Sequence, residues 1–153
     1  MTSAISGDAK RSVRRARETD AAAIKGLIDL YVPSGTLLPR TEEFVELHAH
    51  EFIVEVSGEE VIGCVHLDEY APSLAELRSL AVSPAWQGKG DGKNLVAATE
   101  RLATARGYST LFAVSNDEAF FTRFGFGKRH IPELDLERSE VSRFKGVYAK
   151  DLR

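Results

Sequence analysis

The chain has 153 residues, 43% hydrophobic and 28% charged, enough for one soluble domain with its own core. A net charge of −3 advertises no general nucleic-acid surface, and no apolar run is long enough to cross a bilayer. Cys64 is the only cysteine, so an intrachain disulfide is excluded. Met1 to Lys10 lack the apolar block of a secretory signal, which makes the cytoplasm the expected compartment.

Residues 1–11 are small and polar and read as a disordered tail, with a single domain over 12–153. The basic residues Arg11, Arg14, Arg15 and Arg17 read as a solvated tail and first strand, placed at Val13 to Arg17. Ile24, Leu27, Ile28 and Tyr31 recur at the spacing of one buried helix face. Thr19 is expected to cap that helix, and Asp20 to suit its positive end. Pro33, Gly35 and Pro39 break the chain into a loop up to Arg40, and Thr41 starts a second short helix with Phe44 and Leu47 inward.

Phe52 to Val56 and Val61 to Leu67 flank Ser57-Gly58-Glu59 and predict a hairpin. Leu74 to Val82 adds a third antiparallel strand, ended by Ser83-Pro84. A helix is expected over Gly90 to Arg106, with Leu95, Ala98, Leu102 and Ala105 inward and Gly107 as its C-cap. Leu111 to Ser115 reads as a strand, Asp117 to Phe124 as a short helix and Val147 to Leu152 as a last strand. The fold class is therefore α/β of the mixed α+β kind.

Gln87-Gly88-Lys89-Gly90-Asp91-Gly92 lies between a strand and a helix. Glycines let the main chain approach a ligand closely, and the helix start adds unsatisfied N–H groups and a positive dipole end. A pyrophosphate fits such a nest. Competing phosphate motifs fail on spacing. Gly92-Lys93 is followed by Asn94 where a P-loop needs Ser or Thr, and Lys93 stands where the dinucleotide fingerprint needs its third glycine.

Leu80-Ala81-Val82 followed by Gln87-x-x-Gly90-x-Gly92 resembles the acetyl-CoA signature of the GCN5-related N-acetyltransferase (GNAT) superfamily. Phe120 to Phe126 resembles that family's later aromatic-Gly-Phe element. The resemblance implies a single mixed, mostly antiparallel sheet flanked by helices, with acetyl-CoA as co-substrate; His48, His50 and His130 show no metal-ligand spacing with a carboxylate, so no metal is expected. It implies that the backbone at Leu80, Ala81 and Val82 pairs with the pantetheine amides. It also places Gln87, Gly88, Lys89, Gly90, Asp91 and Gly92 at the pyrophosphate, and Asn116 on the CoA arm.

Acetyl transfer to an ammonium needs a base. Strand alternation would put Glu76 and Arg78 on one face with Leu80 and Val82, and Glu76 is the candidate base. The other reading is an ion pair of structural kind. Backbone N–H near Val82 would stabilise the oxyanion. Phe121 stands where the family tyrosine is expected, with Tyr70, Tyr108 and Tyr148 as substitutes. Cys64 and His66 share a strand face and could form a nucleophile pair, although a buried cysteine is more often inert.

Leu37 to Arg40, Gly63-Cys64, Ala75 to Val82 and Leu111 to Val114 together resemble N-acetylglutamate synthase, in the short bacterial form without a kinase domain. That implies glutamate as the amine, in arginine biosynthesis. Arginine forks suit its two carboxylates, and Arg40, Arg78 and Arg143 are the candidates, with Lys145 weaker. The stretch Ile131 to Asp135 is acidic where that family carries a base. Expected partners are a small-molecule amine and no nucleic acid or membrane, with a homodimer left open. A relative acting on another amine and a silent acyl-CoA-binding domain are the alternatives.

Overall fold

The computed structural model describes residues 10–134 and 145–152. Among these residues seven strands form one sheet in the order β1-β2-β3-β4-β5-β7-β6. They are β1 (Arg11–Arg15), β2 (Phe52–Ser57), β3 (Glu60–Ala71), β4 (Leu74–Val82), β5 (Thr110–Ser115), β6 (Gly127–Lys128) and β7 (Gly146–Asp151). The helices are α1 (Ala21–Asp29), α2 (Glu42–Leu47), α3 (Asp91–Ala105) and α4 (Glu118–Thr122). Pairing is antiparallel between β1 and β2, β2 and β3, β5 and β7, and β6 and β7. β4 and β5 run parallel, Leu74 opposite Thr110, because α3 carries the chain back between them. This is the mixed, mostly antiparallel sheet with helices that the sequence predicts.

By internal packing the chain divides into two compact units, Met1–His66 with Ser79–Ala98, and Leu67–Arg78 with Thr99–Arg153. In the first unit Ile24 and Ile28 of α1, Val45 of α2 and Phe52 and Val54 of β2 are closed from solvent and share one core with Cys64 and Ala81. Burying an aliphatic side chain of this kind contributes about 1.5–3 kcal/mol. Arg14 grips Asp20 through two hydrogen bonds of 2.8 and 3.1 Å, and the Arg17 amide donates to the same carboxylate at 2.7 Å. The Arg14 hydrogen bond, with the Arg17 amide and nearby positive charge, outweighs burial and holds the Asp20 carboxyl below its usual range. The second unit centres on Leu74, Phe112, Ile131, Leu134, Val147 and Ala149.

Several local expectations need correction. The first strand starts at Arg11, so the tail expected over 1–11 gives up its last residue to β1; residues 1–9 lie outside the described residues. Thr19 falls inside a single 3-10 turn and caps nothing, since Asp20 precedes α1. Tyr31 sits beyond the end of α1. Thr41 does cap α2, accepting from the Phe44 amide at 3.0 Å, but Leu47 is 75% exposed and Val45 takes the inward place. On α3, Ala103 rather than Ala105 is buried, and Gly107 ends the helix with φ +88° as expected. β6 has two residues, too few to show a period. Among the described residues no helix is long and apolar enough to cross a membrane.

Candidate functional site

The Gly-rich bend follows a 3-10 turn at Pro84–Trp86 and leads directly into α3. Gly88 and Gly90 take φ +80° and +91°, where an L side chain is strained. A Cβ at either position would meet nothing within 4 Å, and residues 87–90 are exposed. Glycine is therefore needed here for backbone conformation and not to relieve crowding. The first bond of α3 runs from the Asn94 amide to the Gly90 carbonyl at 3.1 Å. Amides 91–93 thus precede the helical ladder, which is the condition for anion binding at a helix start.

Side chains from two strands hold this bend from beneath. Arg11 on β1 donates to the Lys89 carbonyl at 3.2 Å and to Asp91 Oδ1 at 2.8 Å, with its guanidinium 5.3 Å from the Trp86 ring centroid. Asp91 is 1% exposed, as is Glu55 on β2. Glu55 Oε2 accepts from Asn94 Nδ2 at 3.1 Å. Burial lifts the Glu55 carboxyl to about 7; the Asn94 hydrogen bond and the Arg11 charge oppose this, and the neighbouring Asp91 adds to it. The sequence reading named Asp91 only for its amide and missed Arg11, Glu55 and Asn94. Alternation within Phe52 to Val56 already gave a signal, since it carries one charged residue through an otherwise apolar strand.

Tyr31 donates its hydroxyl to the Val82 carbonyl and accepts from Gln87 Nε2, which also reaches that carbonyl at 3.5 Å. Burial raises the Tyr31 phenol, so it remains a neutral donor. The Val82 carbonyl is therefore engaged by side chains, and the Ser83 amide is bonded to Ile62 O at 2.8 Å. The helical periodicity assigned Tyr31 to the core, which concealed this role.

Glu76 is 3% exposed, and its Oε1 lies 3.8 Å from Arg78 Nη1. The same Arg78 nitrogen donates to Asp68 at 3.3 Å. Both candidates thus belong to one charged cluster, in which burial makes the carboxylate more than a solvated surface group. The uniform alternation assumed from Glu76 to Val82 is corrected, because Ser79 takes φ +55° and interrupts the extended backbone.

Arg40 lies with its guanidinium 5.1 Å from the Phe44 ring centroid. Asn116 is exposed just after β5, and Lys145 is half-buried ahead of β7. Arg143 lies outside the described residues. Phe121 is buried against Phe120, Phe126 and Tyr148. The substitute tyrosines are engaged: Tyr70 donates to the Glu133 carbonyl and Tyr108 to Glu69. Cys64 is fully buried, burial pushes its thiol up to about 12, and Sγ points to the Ser79 carbonyl at 3.5 Å. His66 pairs with Glu51 at 2.8 Å, so the pair Cys64–His66 does not form a nucleophile. At Glu51 burial works upward, but the hydrogen bonds and charges of His66 and His48 outweigh it and hold the carboxyl low.

Comparison with known proteins agrees with this geometry. The profile of the acetyltransferase (GNAT) family matches residues 24–126. An uncharacterised N-acetyltransferase of Chlorobaculum tepidum is 36% identical over 114 residues, covering 74% of each chain. The amino-acid acetyltransferase of Mycobacterium tuberculosis is 34% identical over 78% of this chain and 70% of its own length. Among solved structures, N-acetylglutamate synthase of Neisseria gonorrhoeae, complexed with coenzyme A and N-acetylglutamate, superposes with a TM-score of 0.85 at 32% identity. That match covers 95% of this chain and 36% of the Neisseria chain, so the chain spans about a third of that enzyme.

Proposed function

The chain belongs to the acetyltransferase (GNAT) family, and from that premise we propose that it transfers the acetyl group of acetyl-CoA to the α-amino group of L-glutamate, the opening reaction of arginine biosynthesis. The observation that carries the cofactor reading is the bend at 87–92, exposed over 87–90, with two positive-φ glycines opening directly into a helix. The similarity to a synthase complexed with coenzyme A and N-acetylglutamate supports both co-substrate and acceptor.

In the proposed reaction the amine nitrogen forms a bond to the thioester carbonyl carbon, and the C–S bond then breaks. Glu76 takes the ammonium proton before attack, directly or through water; CoA leaves as the thiolate, and the second proton shed by the nitrogen as the intermediate collapses passes to solvent or to that thiolate. A thiol is acidic enough to depart without a tyrosine acid, consistent with phenylalanine at position 121. Main-chain N–H groups near Val82 hold the oxyanion. Amides of residues 88–92 hold the pyrophosphate, with Gln87 and Asn116 beside the CoA chain. Arg40, Arg78 and Arg143 are the proposed partners of the two substrate carboxylates.

One observation favours a second acceptor. Arg78 already faces Asp68 and Glu76, so part of its fork is committed before any substrate carboxylate arrives. An amine other than glutamate, flanked by acidic side chains, is the alternative. Thiol release from acetyl-CoA, measured across a panel of amino acids, polyamines and peptides, separates the two. Glutamate is expected to give kcat/KM at least tenfold above any other amine. Turnover of glutamate no faster than buffer, with another amine active, removes the synthase reading and leaves the acetyltransferase.

A further inference from the structure

Two acids are buried directly under the bend that receives the diphosphate, and this arrangement has consequences for binding. Glu55 Oε1 and Asp91 Oδ2 are both buried and accept from no donor, and Asn94, which donates to the other Glu55 oxygen, stands one helical turn beyond Asp91 on α3. Two ionised carboxylates have no hydrogen to offer one another, whereas a single shared proton satisfies both oxygens.

The groups facing this pair can be counted by element. β1 brings the Arg11 guanidinium, at Asp91 Oδ1. α3 brings Asp91 itself and the neutral Asn94 amide. β3 brings Gly63, opposite Glu55 in register, where even a Cβ would come within 2.9 Å of Leu95. The ammonium-bearing residues Lys89 and Lys93 are exposed. With one proton on the pair, Arg11 balances the remaining charge. With none, a net negative charge sits beneath the amides 91–93.

Resting on the use of acetyl-CoA proposed above, we infer that Arg11 is a positioning residue for the 87–92 bend, and that Glu55 keeps a proton, offered to the Asp91 carboxylate, whose retention is coupled to binding of the coenzyme A diphosphate. Arg11 fixes the bend at three points, the Trp86 ring, the Lys89 carbonyl and the Asp91 carboxylate. The coupling follows from charge. A diphosphate at the start of α3 repels a second carboxylate below it, so binding favours the protonated pair. By linkage, affinity is full while the pair keeps its proton and falls as pH rises through the range in which Glu55 ionises, about 7 in the free protein. Binding correspondingly moves that ionisation upward.

The test is calorimetry with 3′-dephospho-coenzyme A from pH 6.0 to 8.5. This probe keeps the diphosphate and lacks the phosphate monoester, which itself titrates near pH 6. The expected result for the wild type is a Kd that weakens about tenfold across the range, the effect of displacing one titration by roughly one unit. Glu55→Gln retains an acceptor for Asn94 and gives Asp91 a permanent donor; its Kd is expected to vary less than about twofold over the same range. Arg11→Gln is expected to raise KM for acetyl-CoA about tenfold while kcat at saturation changes less than twofold, the split that marks lost ground-state positioning. If Arg11→Gln does not fold, the other two measurements decide. A flat wild-type profile, or a Glu55→Gln profile as steep as the wild type, overturns the inference while leaving coenzyme A binding in place. No binding at any pH overturns the acetyl-CoA reading together with it.

Discussion

The bend at 87–92 and the strand segment Leu74–Arg78 both carry polar groups assigned to the reaction, but they are built differently. In the bend the groups proposed to face the ligand are main-chain amides, in a stretch exposed over 87–90 and ordered by glycines at positive φ. In the strand segment the groups are side chains, Glu76 buried and Arg78 mostly so, each defined by the charges around it. A main-chain site depends on backbone conformation, held here by the glycines and by the Arg11–Asp91 contact beneath them. A side-chain site depends on identity, protonation and partner. The first therefore fails through strain, and the second through chemistry.

Several measurements can break or sharpen that contrast. The largest expected effect is Glu76→Gln, with turnover reduced about 10²–10⁴-fold, the usual worth of a positioned base, while calorimetry still detects CoA. Unchanged turnover would remove Glu76 from the mechanism. Next is Gly90→Val in the bend. Strain of about 1–3 kcal/mol at φ +91° should weaken CoA binding roughly tenfold or more, with kcat at saturation little altered. A fall in kcat alone would show that the bend takes part in chemistry as well as binding.

Smaller effects test the scaffold beneath each region. Asp20→Ala leaves Arg14 buried in part without its partner and should cost about 2–3 kcal/mol in chemical denaturation. Because the Asp20 carboxyl is held low in the folded chain, its stabilisation is present above the ordinary aspartate range and is lost as pH falls through the folded value. The wild-type-minus-variant difference should therefore shrink on acidification. Glu55 has the opposite sign. Its folded carboxyl titrates near 7 against an ordinary value of 4.5, so between these the unfolded chain has released a proton that the folded chain keeps. Stability from this group falls as pH rises across that window, and Glu55→Gln should gain in relative Tm from pH 5 to pH 8. Least of all, Cys64 should resist alkylation in the native protein at pH 7 and react after denaturation. Native-state labelling that stops turnover would reopen the nucleophile reading.

The extent to which each region could be read in advance follows the same division. Leu74 to Val82 was placed residue for residue, and the hairpin at Ser57 to Glu59 fell where Gly58 adopts φ +61°. These features are local, because periodicity and glycine act within a few residues. Leu47 was misplaced because a six-residue helix offers too few turns to define a face. Tyr31 was read as a helix core residue, yet its hydroxyl partner Val82 lies 51 positions away.

Sequence alone determined the order of every element but β6, the Gly-x-Gly bend at a helix start and the resemblance to an acetyltransferase family, since each is written in short-range spacing. Only the tertiary structure decided what lies beneath that bend. Arg11, Glu55 and Asp91 come from two strands and a helix separated by tens of residues; sheet pairing sets β1 beside β2, and the Arg11–Asp91 and Asn94–Glu55 bonds tie the helix to both. The reason is physical: a backbone conformation is set by neighbours along the chain, whereas the charge state of a buried side chain is set by whichever groups the fold places around it.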